Sequence, residues 1–77
     1  MTLDDAPTGV PARVGSTDVE PLLARRLAEL GIRPGSVVTP LHRTAGGGRM
    51  LAVADTRLAL ARTVLRRVAV DVSEGVA

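Results

Sequence analysis

The stretch Arg25 to Ser36, RRLAELGIRPGS, constrains the fold more than any other part of this chain. A leucine-spaced run ends on Gly31, the residue type that closes a helix in the left-handed conformation without steric cost. Ile32 follows directly and is placed to fold back on Leu27, as that helix ending prefers. Arg33-Pro34-Gly35-Ser36 then suits a type II turn, with proline second and glycine third. A helix must therefore stop at Gly31 and give way to extended chain. Gly31, Pro34 and Gly35 have structural roles in this device, and none of it is catalytic.

The start of the helix is equally legible. Proline pushes the residue before it out of the α region, so Glu20 is the N-cap and Pro21 the first helical residue. The Glu20 charge suits a helix N-terminus. The spacing predicts a helix over 21–30, with Leu23, Leu27 and Leu30 on its core face. Arg26 falls in the same stripe. There it would lay its stem over the core and bond carbonyls with its fork, a structural role, with a partner contact as the alternative. Leu22 sits at the stripe's other edge, beside Arg25 and Glu29. Arg25 precedes Glu29 by four residues, which suits a surface ion pair.

The rest reads as short strands. Val10, Ala12 and Val14 alternate with Pro11, Arg13 and Gly15, and Pro11 keeps this run at an edge or a strand start. Val37, Thr39 and Leu41 oppose Val38, Pro40 and His42, and Pro40 marks an edge or a bulge. Residues 44–49, carrying Gly46-Gly47-Gly48, form a hairpin loop. Residues 50–54 return, Asp55-Thr56-Arg57 turn, and Leu58 and Leu60 begin another strand. Residues 63–66 read as one helical turn. Val68, Val70 and Val72 alternate in a last strand. Residues 1–8 are a lead-in, with Leu3 tucked onto the core; 9–72 are the domain; 73–77 are a frayed tail. About five short strands with one helix inserted after the first give a mainly β domain. Short strands cannot bury both faces of an open sheet of this size, so the expected form is a small SH3-like barrel whose curling removes its edges.

Composition sharpens what this domain can do. In 77 residues there is no cysteine and no Phe, Tyr or Trp, so a disulfide is impossible and the core is aliphatic. So small a domain is marginal by size. Every basic residue is arginine, yet ten arginines face eight acids, for a net charge of +2. Nucleic acid is not the expected partner, because the arginines are scattered and no aromatic ring exists for bases to stack on. No window approaches a membrane span, and MTLDDAPTG lacks the basic flank and apolar run of a signal peptide. A cytoplasmic protein without membrane insertion is the expectation.

The inventory of reactive groups is thin. His42 has no orienting partner or companion ligands near it in sequence and reads as a surface histidine. Asp4 and Asp5 supply too few oxygens for a cation and read as solvated charges. The glycine run lies between two strands with no lysine nearby, unlike a phosphate loop. Arg25-Arg26 and Arg66-Arg67 could grip anions or an acidic partner, with surface ion pairing as the plainer use. No catalytic set, metal site or cofactor site is expected, and the chain reads as a non-enzyme.

Residues 22–36, LLARRLAELGIRPGS, resemble the hallmark of the ferrous iron transport protein A (FeoA) family. There an arginine-bearing helix ends in a Leu-Gly-Ile-x-Pro-Gly-like run and enters a strand. The likeness continues through Val37-Val38, the glycine-bearing loop, Arg57-Leu58-Ala59-Leu60 and the closing valine strand. Leu3, Gly9 and Ala12-Arg13-Val14 fall where the family has its opening leucine, glycine and first strand. The chain departs from the family at Thr44-Ala45-Gly46-Gly47-Gly48-Arg49 and at Ala54-Asp55-Thr56. The second change removes an aromatic residue and any contact it makes.

The resemblance implies an SH3-like cytoplasmic accessory protein of bacterial ferrous iron uptake. It would act by contact with FeoB, the membrane transporter that carries a cytoplasmic G-protein domain. Leu22, Arg25 and Glu29 are the expected contact patch, an apolar spot rimmed by charge. The competing reading has Leu22 merely capping the core. The alternative function is an SH3-like regulatory domain related to those of iron-dependent repressors. Such a domain would sit behind a winged helix, for which this chain leaves no room. An exposed edge near Pro11 or Pro40 would allow pairing into a homodimer.

Overall fold

The computed structural model describes residues 1–72, and the expected tail at 73–77 lies outside them. The elements are β1 (Ala12–Thr17), α1 (Pro21–Glu29), β2 (Val37–Arg43), a 3-10 turn (Ala45–Gly47), β3 (Arg49–Val53), β4 (Thr56–Leu60), α2 (Arg62–Leu65) and β5 (Val68–Val72). The strands form one antiparallel sheet in the order β4-β3-β2-β1-β5. The molecule is mainly β and SH3-like. The ladder is not closed, however: β4 and β5 are its two ends and do not pair with each other.

Alternation builds the core. Ala12 and Val14 of β1, Val38 and Pro40 of β2, Leu51 and Val53 of β3, and Val68 and Val70 of β5 all point inward and are buried. Leu58 and Leu60 of β4 are half-buried against the same cluster. Two irregularities break the period. The β1–β5 register shifts between Val14 and Ser16, leaving Gly15 as the extra residue. The β2–β3 register shifts between Pro40 and Arg43, where proline has no N–H to offer the ladder. Pro40 therefore marks an irregularity and not an edge. Pro11 stands just before β1, which is an interior strand. The edges expected at the prolines are in fact at β4 and β5.

The end of α1 follows the sequence closely. Glu20 is the N-cap, extended at φ −61° and ψ 152°, and Pro21 opens the helix. Leu30 is the C-cap, one residue short of the helical span expected from spacing. The Gly31 amide donates to Ala28 O (3.0 Å) and the Ile32 amide to Leu27 O (2.8 Å), the paired bonds of a Schellman ending. Gly31 has φ +99°, and a Cβ there would lie 2.8 Å from Val53 Cγ1. The turn follows with Ser36 N donating to Arg33 O at 3.0 Å, and Gly35 at φ +93°. It is then stitched to β1, because Gly35 N donates to Val14 O and Val14 N to Ser36 O.

Leu27 and Ile32 are buried and Leu23 packs partly against them, but Leu30 is 52% exposed. The Gly31 reversal returns Ile32 to the core at that end of the helix, so Leu30 is not needed to fill it.

The first eight residues are built onto the sheet. Leu3 and Ala6 are buried in the core cluster. Thr2 bridges Ala69, Leu3 N donates to Val68 O, and Val70 N donates to Met1 O. This segment therefore covers part of the outer edge of β5.

Candidate functional site

Helix α1 turns Leu27 into the core, with Leu23 half-buried beside it. Residues 22, 25, 26 and 29 follow the same three-and-four spacing on the opposite face. The sheet cannot cover that face. Leu22 is left 63% exposed, and with Arg25, Arg26 and Glu29 it lines a surface depression of about 390 Å³. The three residues expected to make a contact patch thus lie together on one surface.

Two details differ from the sequence reading. Arg26 is exposed and makes no side-chain hydrogen bond among the described residues, so it does not hold carbonyls over the core. The helix presents it to solvent because Leu27 sits at the centre of the buried stripe and Arg26 falls at its side. The carbonyl-holding role belongs to Arg33, whose Nη1 donates to Ala28 O at 3.1 Å. Nor do Arg25 and Glu29 form an ion pair, although both line the depression.

A second groove, of about 420 Å³, runs between the entry to α1 and α2. Asp18, Val19, Glu20, Leu23, Thr63, Val64 and Arg67 line it. Arg67 Nη1 and Asp18 Oδ2 meet at 3.3 Å across its mouth, both well exposed. A pair in such a setting contributes tenths of a kcal/mol.

The sequence reading missed the chain's most connected side chain. Arg49 is 3% exposed, and its Nη1 donates to Leu3 O (2.9 Å), Ala6 O (2.6 Å) and, at 3.5 Å, Asp4 O. Its Nη2 donates to Thr8 Oγ1 at 2.8 Å, while Nε is buried without an acceptor. A signal did exist. Arg49, Leu51 and Val53 alternate in β3, which places the arginine on the inward face with the two aliphatics. Burial pushes its pKa down, helped by the nearby Arg43 charge and opposed by Asp4. Arginine starts so high that it remains charged.

Asp4 also departs from expectation, because it is not a solvated charge. Its side chain is 10% exposed, and Arg43 Nη1 donates to Oδ1 at 2.7 Å. Arg62 Nε and Arg66 Nε approach Oδ2 at 3.4 and 3.5 Å. The hydrogen bond from Arg43 holds the Asp4 carboxyl below its ordinary pKa, with Arg62 adding to the effect against the opposing cost of burial.

His42 is exposed. Among the described residues no three His, Cys, Asp or Glu side chains gather where a metal ion could be held. The glycine run forms a tight hairpin turn, closed by Gly47 N to Thr44 O and Thr44 N to Gly48 O. A Cβ on Gly48 would meet Leu60 O at 2.7 Å. Among the described residues no helix is long and apolar enough to cross a membrane.

Comparison with known proteins bears on this arrangement directly. The model of the FeoA domain matches residues 1–72. No curated protein sequence matches the chain. Among solved structures, FeoA from Stenotrophomonas maltophilia, complexed with zinc and described as a procaryotic SH3 domain protein, is 36% identical. It aligns over 92% of this chain and 89% of its own, with a TM-score of 0.75. FeoA from Chlorobium tepidum is 26% identical over 97% of this chain and 72% of its own, with a TM-score of 0.89. The iron(II) transport protein A of Clostridium thermocellum shares the fold at 24% identity and a TM-score of 0.87. It aligns over 97% of this chain, which spans about half (47%) of that one. With its helix ending, its sheet and nearly its whole length accounted for by one domain model, this chain belongs to the FeoA domain family.

Proposed function

We propose that this protein is a cytoplasmic accessory factor of bacterial ferrous iron uptake that works by protein contact and not by catalysis. Its partner is the cytoplasmic region of a FeoB-type membrane transporter. Family membership supports the iron-uptake setting. The observation that carries the contact reading is Leu22. A leucine 63% exposed, in a depression walled by Arg25, Arg26 and Glu29, is an apolar anchor ringed by charge. Interfaces concentrate their energy in such anchors, and the charged surround orients the partner. Because Leu22 points away from the core, altering it perturbs the surface and leaves the fold intact.

The test is Leu22→Arg, measured by calorimetric titration against the isolated cytoplasmic region of the transporter. Truncating or reversing an anchor of this kind costs about 2 kcal/mol or more, so binding should weaken roughly 30-fold. The melting temperature should stay near that of the parent protein. Undiminished binding by a folded Leu22→Arg protein would overturn the assignment of this patch.

A further inference from the structure

We propose that Arg62 and Arg66, gathered around Asp4, form a docking point for carboxylate groups on an acidic segment of a protein partner. This surface is separate from the Leu22 depression and stands or falls independently of it.

Asp4 is fixed from below, because Arg49 and Arg43 hold the backbone carbonyl of the same residue. Its carboxylate faces three guanidinium groups, those of Arg43, Arg62 and Arg66, which leaves two positive charges in excess. Arg49 adds a buried charge beneath them. Asp5 is exposed, and its carboxylate lies toward the Thr2 amide.

The arginines are not equivalent. Arg43 is used internally: besides Asp4, its Nη1 donates to Gly47 O at 3.1 Å. Arg62 and Arg66 touch Asp4 only through Nε, at 3.4 and 3.5 Å, the weak end of hydrogen-bonding distance. Their terminal nitrogens have no acceptor among the described residues. The two side chains are 50% and 58% exposed and lie four residues apart, on one face of the last helical turn. Gly47 backs Arg62 closely, since a Cβ there would lie 3.2 Å from Arg62 Cδ.

The pair already takes a carboxylate on its inner side, which identifies the chemistry it accepts. The outer ends of two planar forks match a carboxylate in bidentate fashion. Asp4 supplies one negative charge where the cluster can use more. It therefore holds the arginines in position and also competes with a partner for them.

The probe is a hexaglutamate peptide, titrated into the full isotope-labelled chain at low salt and followed by NMR of backbone amides and arginine Nε–H groups. Shifts should centre on Arg62 and Arg66 and weaken as salt screens the charges. Arg62→Gln/Arg66→Gln retains the Arg43–Asp4 bond, so it should fold to the parent's circular dichroism spectrum, and it should bind about tenfold more weakly, the equivalent of 1.4 kcal/mol. Asp4→Asn removes the internal competitor and should bind the peptide more tightly. If Asp4→Asn fails to fold, the double variant alone decides. Absence of shifts at these arginines, or unchanged binding by the double variant, overturns the proposal. So does binding of inorganic phosphate or of phosphatidylserine vesicles at this site without binding of the peptide.

Discussion

Replacing Arg49 by methionine should cost this domain a large part of its stability. Methionine fills comparable space and removes the charge. The structure shows three short bonds at stake, to Leu3 O at 2.9 Å, Ala6 O at 2.6 Å and Thr8 Oγ1 at 2.8 Å. Leaving the Leu3 and Ala6 carbonyls buried without a donor costs about 1–3 kcal/mol each, roughly 2–6 kcal/mol together. Removing the buried cation and its unpartnered Nε offsets part of this. The expected net loss is about 3 kcal/mol. A domain of this length holds only about 4–12 kcal/mol in total. At about 4–8 °C per kcal/mol, the melting temperature should fall by roughly 12–24 °C. Far-UV circular dichroism is the assay of choice, because the chain has no aromatic residue to follow. Arg49→Lys should recover less than half of the loss, since one compact ammonium cannot span three acceptors. In hydrogen exchange, the Leu3 and Ala6 amides should open before those of β2 and β3. A melting curve for Arg49→Met within about 3 °C of the parent, on the same scale, would refute the reasoning.

Two further perturbations test the fold from other directions. Ala54, in the β3–β4 hairpin, has φ 53°, a left-handed conformation that costs any Cβ-bearing residue about 1–2 kcal/mol. Ala54→Gly should therefore raise stability by about 0.5–1 kcal/mol in urea unfolding, once the greater freedom of glycine in the unfolded chain is allowed for. A net loss of stability would show that the turn is not strained. Acid unfolding tests Asp4. The Arg43 hydrogen bond lowers its folded pKa below the ordinary 3.8, so between those values the unfolded chain binds more protons than the folded one. The stabilisation is complete above the ordinary value and is lost as pH falls through the folded pKa. Asp4→Asn should flatten that part of the stability–pH curve, and parallel curves for the two proteins would count against the cluster.

What could be read from the sequence was local, and what could not was distant. The Glu20–Pro21 start, the Gly31 ending and the Pro34–Gly35 turn each depend on backbone preferences within a few residues, and all appear as expected. The strands follow from alternation for the same reason, except that Thr56 and Arg57, expected in the turn, open β4. Alternation with Leu51 and Val53 places Arg49 on the inward face, but what it grips lies more than forty residues away in sequence, where no local rule reaches. The sequence shows Asp4 only as an acid on a polar lead-in, because its partners stand in β2 and at α2, brought together only by the folded sheet. Spacing alone puts Arg26 and Leu30 in the inward stripe, because helical periodicity defines a stripe and not its width. The narrow contact on Leu27 and the return of Ile32 leave both exposed. The residues of the candidate patch, Leu22, Arg25 and Glu29, were legible together because they share one helix face.

The way Arg49 grips the opening segment has a consequence for how freely that segment can vary. Its guanidinium reads main-chain oxygens at positions 3, 4 and 6 and consults only one side chain, that of Thr8. The anchor is therefore indifferent to which side chain stands at position 4. A single residue serves the interior through its peptide oxygen while its carboxylate gathers Arg43, Arg62 and Arg66 toward the outer surface. Selection, or a protein engineer, could retune the charge at that spot without loosening the knot beneath it.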